Sequence, residues 1–154
     1  MEPFGEETKL SDGLKVLRVK KYSKLNFEKE KIPEKPPADL FNLSSTDKSE
    51  GEKRNRQPLL SVWESSIPKD HVFENVAIKK SDLPAAYELS VEEIHKIQVK
   101  AGMVPISVHT DPLKEVQSGD LHAGIEGLCS MPNIPKAEYK NIKDELVKLS
   151  TLIY

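Results

Sequence analysis

Apolar side chains are spread unevenly along this chain, and the most constraining consequence is a stretch, residues 28–58, that cannot build a core of its own. It runs from Glu28-Lys29-Glu30-Lys31 through Ile32-Pro33-Glu34-Lys35-Pro36-Pro37 to Ser44-Ser45-Thr46-Asp47-Lys48-Ser49-Glu50-Gly51. Ordering a backbone costs roughly 1–2 kcal/mol per residue, and such side chains bury too little apolar surface to offset it. The stretch therefore reads as a linker, stiffened toward polyproline II by its prolines and loose in its serine-rich part. Its one apolar cluster lies between them, at Ala38-Asp39-Leu40-Phe41-Asn42-Leu43. Leu40, Phe41 and Leu43 either tack the arm onto the rest of the chain or form a binding element recognised by a partner.

Around this stretch the chain divides into an N-terminal arm (1–27), the linker (28–58) and a globular α+β domain (59–154). A total of 154 residues suits one core rather than two. Hydrophobic residues make up 37% and charged residues 31%, the mix expected of a folded domain diluted by a polar segment. The net charge of −2 favours neither wholesale nucleic-acid binding nor an acidic solvating role. Residues 1–58 carry +2 and residues 59–154 carry −4, too small an asymmetry to specify a partner. Cys129 stands alone, so neither an internal disulfide nor a C-x-x-C metal motif is available, and a reducing compartment follows. The cationic start and apolar run of a secretory signal are missing, as is any apolar run of the ~20 residues that span a bilayer. A cytoplasmic location, with no membrane contact, is the expectation.

Periodicity predicts a small mixed or antiparallel sheet of four to five strands. Leu14-Lys15-Val16-Leu17-Arg18-Val19 follows the Asp12-Gly13 turn and reads as a strand, with Lys15, Arg18, Lys20 and Lys21 lining or ending an exposed edge. Leu59–Trp63, Val72–Ile78, Ala86–Leu89 and Met103–Val108 read as further strands. Pro105 marks the last of these as an edge, a bulge or a strand start, because proline cannot donate to a ladder. Ser90-Val91-Glu92-Glu93 has the capping-box spacing and predicts a short helix over 91–98, with Gly102 as the stop. Tyr139, Ile142, Leu146, Leu149 and Ile153 recur at steps of three and four, the stripe of a C-terminal amphipathic helix over 136–150 packed across the sheet. Trp63, among apolar neighbours, reads as core.

One constellation could carry chemistry. His109-Thr110-Asp111 and Asp120-Leu121-His122 place two imidazoles and two carboxylates within fourteen residues. In a strand, side chains two apart share a face, so His109 with Asp111, or Asp120 with His122, could converge on one ion or one proton. Zinc or ferrous iron would suit such ligands, and either histidine could instead act as a general base oriented by its aspartate. The bland alternative is strong, since Asp111 before Pro112 and Asp120 after Gly119 are common turn arrangements. His122-Ala123-Gly124-Ile125-Glu126-Gly127-Leu128 reads as a bulged strand or turn whose glycines permit close approach. Lys53-Arg54-Asn55-Arg56 reads as the solvated end of the linker, His71 and His95 as solvated, and Cys129 as buried and inert.

Two functions from different classes follow. The first is a non-enzymatic accessory or interaction protein that docks onto a larger protein assembly through its domain and its arm, with a protein as the partner. The second is a small hydrolase, metal-dependent or using His/Asp general acid-base catalysis, built on His109, Asp111, Asp120 and His122. Sequence alone specifies no cofactor, metal or oligomeric state.

Overall fold

A computed structural model describes residues 3–154; Met1 and Glu2, the first residues of the expected arm, lie outside the described residues. The strands are β1 (Lys15–Ser23), β2 (Leu60–Glu64), β3 (Asp82–Ser90), β4 (Ser107–Thr110), β5 (His122–Glu126) and β6 (Thr151–Leu152). They form one six-stranded sheet in the order β4-β5-β2-β1-β3-β6, with every pairing antiparallel. The helices are α1 (Ser45–Lys53), α2 (Lys69–Asn75), α3 (Val91–His95) and α4 (Lys136–Leu149). The α+β class and the antiparallel sheet match the sequence expectation, with a strand more than the four to five read from it.

The largest correction concerns β1. Expected at an exposed edge, it lies between β2 and β3 and pairs with β3 along all nine of its residues. Val16 and Leu17, adjacent in sequence, are both fully buried on opposite faces. A strand covered on both sides loses clean alternation, which is why its period looked imperfect. Its cations are absorbed locally: Lys15 pairs with Glu88 at 3.7 Å, and Arg18 donates to the carbonyls of Leu40 (3.0 Å) and Ser61 (2.9 Å).

The stretch expected to be a linker is laid against the sheet. Leu40 and Phe41 occupy a 3-10 turn (Ala38–Phe41) and are buried in the main core, with Leu43 packed against it. Of the two readings of this cluster, the tack is the one the fold uses: Leu40 and Phe41 are not free for a partner, and Leu43 is half-buried. Lys35 Nζ donates to the carbonyls of Lys148 (2.9 Å) and Ser150 (2.5 Å), satisfying the C-terminal end of α4. The Tyr87 hydroxyl donates to the Pro33 carbonyl at 2.7 Å, leaving its oxygen to accept from Tyr22 at 2.7 Å. The serine-rich part forms α1, started by a capping box in which Ser44 and Asp47 satisfy each other's amides.

Each sheet face has its own cover. On one, Val16, Leu60, Val62, Tyr87, Leu89, Val108 and Ile125 meet Phe41, Ile94 and the α4 stripe of Tyr139, Ile142 and Leu146. Helix α4 is where its periodicity placed it, except that Ile153 falls beyond it and is exposed. On the other face Leu17 and Trp63 meet Ile67 and Val72, with Phe73, Leu113 and Tyr154 at the margin. Residues 72–78, expected to be a strand, are largely α2 and its exit. Pro68 at the N-cap and Asp70 in the first turn start the helix, and Ala77 with φ 57° ends it. Burying Val72 against Leu17 and Trp63 outweighs the strand preference of the valines and Phe73. The helix expected over 91–98 exists but is shorter, and the 103–108 strand starts only after Pro105, at Ser107. As Pro105 suggested, β4 is an edge strand. Residues 8–10 shield that edge, with a bridge between Lys9 and His109 and the Leu10 amide donating to the Val108 carbonyl at 2.7 Å.

Candidate functional site

The His/Asp residues singled out from sequence sit on the second face, at the β4–β5 end. Odd positions 107, 109 and 111 on one chain segment and even positions 122, 124 and 126 on the next point the same way, because Ser107 is opposite Glu126 and His109 opposite Gly124. His109, Asp111 and His122 therefore share a surface, joined by Ser107, Glu126 and, from β2, Ser61. All but Ser61 are buried. Asp120 does not join them: it is exposed on the Gly119–Leu121 turn, and its charge acts on Glu64, whose pKa is raised by burial and then by Asp120.

Two hydrogen-bonded groups make up the site. In the first, the Thr8 hydroxyl donates to the Gly5 carbonyl (3.0 Å), so its oxygen accepts from His109 Nδ1 at 2.9 Å. That tautomer, assigned from the network, leaves His109 Nε2 to accept from Ser107 at 2.7 Å. Glu126 Oε1 lies 3.6 Å from the same nitrogen, and the Phe4 amide donates to the other carboxylate oxygen. The Phe4 ring lies 4.8 Å from His109 on one side and 4.7 Å from the Arg56 guanidinium on the other. The N-terminal segment thus covers a buried imidazole and a buried carboxylate.

In the second group, His122 Nδ1 donates to the Asp111 carbonyl at 2.7 Å, and Asp111 Oδ2 lies 3.5 Å from the same nitrogen. His122 Nε2 is then an acceptor for the Ser61 hydroxyl, 2.6 Å away. Asp111 Oδ1 receives Arg54 at 2.8 Å and Arg56 at 3.2 Å. Burial opposes ionisation of Asp111, but the His122 hydrogen bond with the charges of Arg56, His122 and Arg54 overrides it and brings the pKa down to about 2. The Trp63 ring meets His122 edge-on at 4.7 Å. The basic cluster expected to be solvated thus supplies the two cations that hold Asp111.

Gly124 lies opposite Ser61, and a Cβ there would run into the side chain of Leu59. The close approach expected of the glycine-interrupted string is therefore made by Leu59 onto a regular strand. Elsewhere, His95 is half-buried, with Nδ1 2.5 Å from Asp12 and Nε2 accepting from the Val108 amide at 3.0 Å. His71 bonds Ser118 at 2.8 Å, and Cys129 is only half-buried. Among the described residues no three His, Cys, Asp or Glu side chains converge as metal ligands. Among them, too, no helix is long and apolar enough to cross a membrane.

Sequence reasoning missed Ser61, Glu126, Thr8, Phe4, Arg54 and Arg56. Glu126 was within reach, since it lies four residues from His122 on an alternating strand. The others arrive from distant segments, and no local pattern announces them. Comparison with protein-family models, with curated proteins and with solved structures finds no match for this chain.

Proposed function

We propose that this chain is a non-enzymatic accessory protein that seats an amphipathic segment of a protein partner in a groove between α4 and residues 93–103. One observation carries the reading: a groove of about 630 Å³, walled by α4 on one side and by the chain leaving α3 on the other. Ile97, Val99, Met103, Ile142 and Leu149 give it apolar lining, and Glu93, Lys96, Glu138 and Lys148 give it charges of both signs. Apolar surface between charged margins is how grooves hold amphipathic segments, the apolar side chains supplying burial and the charges orientation. Lys100 and Glu138, 2.9 Å apart, tie the two walls together at one margin of the groove. The His/Asp groups, by contrast, are bonded to one another and to Arg54, Arg56 and Phe4, as a buried structural network would be.

A photo-crosslinking residue at the exposed groove position Gln98 tests this in cells. One protein adduct is expected there, absent from a control at Leu25 and lost when Ile97→Asp is added to a chain with unchanged circular dichroism. Equal adducts at both positions, or none, would end the docking reading.

The contacts of Ser61 favour a second reading, a hydrolase. A hydroxyl donating to an imidazole whose other nitrogen donates toward an aspartate is the arrangement that activates a nucleophile. Asp111 and His122 would then orient and accept the proton, with Ser61 as nucleophile. Labelling by a fluorophosphonate probe, abolished in Ser61→Ala and His122→Ala, is the expected result; an unlabelled native protein removes this reading.

A further inference from the structure

A second cavity, of about 320 Å³, is lined by Asn42, Leu43, Lys48, Leu128, Ser130, Lys136, Tyr139 and Lys143. Three of these residues are lysines and none is acidic. They come from two elements: Lys48 from α1, and Lys136 and Lys143 from one face of α4, beginning at its first turn. No carboxylate among the described residues forms an ion pair with any of the three; Lys143 Nζ instead donates to the Asn42 side-chain oxygen at 2.7 Å. Burial and then the charge of Lys48 lower the pKa of Lys143, so holding these cations close together carries a cost.

The lining also leaves a buried polar atom unmatched. Tyr139 is 4% exposed, and its hydroxyl has no hydrogen-bond partner. Burial pushes the pKa of this hydroxyl up and the Met131 backbone amide, aimed at its oxygen, opposes the shift, so what the hydroxyl lacks is an acceptor for its proton. A buried hydroxyl normally finds a partner, because leaving it unsatisfied costs about 1–3 kcal/mol. Helix α4 adds to the same deficit: no side chain caps its N-terminus at Pro135, and of its first-turn amides that of Glu138 bonds the Pro135 carbonyl at 3.0 Å. Lysines, a donor hydroxyl and the positive end of a helix all call for one kind of group, an anion with several acceptor oxygens.

We propose that this cavity binds the phosphate group of a small phosphomonoester, with Lys48, Lys136 and Lys143 neutralising its charge and Tyr139 donating to one oxygen. The volume fits a small phosphorylated metabolite, being near the lower limit of ligand sites. The site is separate from the α4 groove and from the Ser61 group, so it stands or falls independently of either.

Isothermal titration of the full chain with inorganic phosphate and with glycerol 3-phosphate, at constant ionic strength set with chloride, tests it. Saturable one-to-one binding is expected for both, tighter for the ester. Lys143→Gln should weaken it by about tenfold or more, the loss of a charged hydrogen bond. Lys136→Gln, at an exposed position, serves as the second variant if Lys143→Gln fails to fold. Tyr139→Phe should weaken binding several-fold while leaving the ligand-free protein no less stable, since it deletes an unsatisfied hydroxyl. Lys140→Gln, outside the cavity, should change nothing. No saturation in the millimolar range, or equal affinity in the native chain and the lysine variants, would overturn the proposal. So would binding to phosphatidate vesicles without binding to either soluble probe, which would assign the lysines to a lipid surface.

Discussion

The two faces of the sheet are closed by different physics. Under α4, the cover is aliphatic and aromatic, with Phe41, Ile94, Tyr139, Ile142 and Leu146 on a continuous apolar surface. At the β4–β5 end of the other face, the cover is a polar network pinned by Arg54, Arg56, Thr8 and Phe4. Apolar packing is non-directional and tolerates a volume-conserving exchange. A buried network is directional: satisfied, it specifies one arrangement, and each lost partner leaves a polar group stranded. One face should therefore fail by cavity formation, and the other by unpaired charge and by pH.

The largest expected effect tests the apolar face. Phe41→Ala should cost about 3–5 kcal/mol in guanidinium unfolding, because a fully buried ring is removed from the core. A loss below about 1 kcal/mol would mean that the 38–43 turn is not part of the folding unit. Next comes the polar face: His109→Leu should cost about 2–3 kcal/mol, since it leaves the buried Ser107 hydroxyl without its acceptor and the Thr8 hydroxyl oxygen without its donor. Adding Ser107→Ala should recover part of that loss by removing the stranded hydroxyl, which two independent core defects would not do.

A smaller effect separates the faces by pH. Asp111 titrates in the folded chain at about 2, against an ordinary 3.8. Its contribution, about 2 kcal/mol, is fully present above pH 4 and lost as the pH falls from about 4 through 2. Asp111→Asn should be less stable than the native chain at pH 7 by that amount and nearly equal to it at pH 2. Phe41→Ala should instead run parallel to the native curve across the same range. If the Asp111→Asn deficit persists undiminished at pH 2, packing rather than charge holds that end of the sheet. The smallest expected change is that of Lys35→Met, about 0.5–1 kcal/mol, from the loss of its bonds to the last carbonyls of α4.

Elements whose information is local were legible. The 3-4 spacing of Tyr139, Ile142 and Leu146 specifies α4 without reference to the rest of the chain, and Ser90 caps α3 by accepting from the Glu93 amide, one half of the box its spacing predicts. The strand character of β1, β2 and β3 is likewise written in short apolar runs. What could not be read was placement. β1 carries enough lysine to suit an edge, and only its pairing with both β2 and β3 makes it interior. Val72 and Phe73 have the preferences of a strand, yet burial against Leu17 and Trp63 draws them into a helix.

The candidate site divides in the same way. That His109 and Asp111 share a face follows from the two-residue period of an extended chain, and so does the kinship of His122 with Glu126. That these two pairs meet, that Asp120 turns away, and that Arg54, Arg56, Ser61 and Phe4 complete the group depends on contacts spanning tens of residues. Sequence by itself determined the α+β class, the amphipathic C-terminal helix and the poverty of apolar residues over 28–58, because composition and period act locally. Only the tertiary structure decided that this poor stretch is ordered, since its few useful groups, Lys35, Leu40, Phe41 and the two arginines, gain their value from partners elsewhere in the chain.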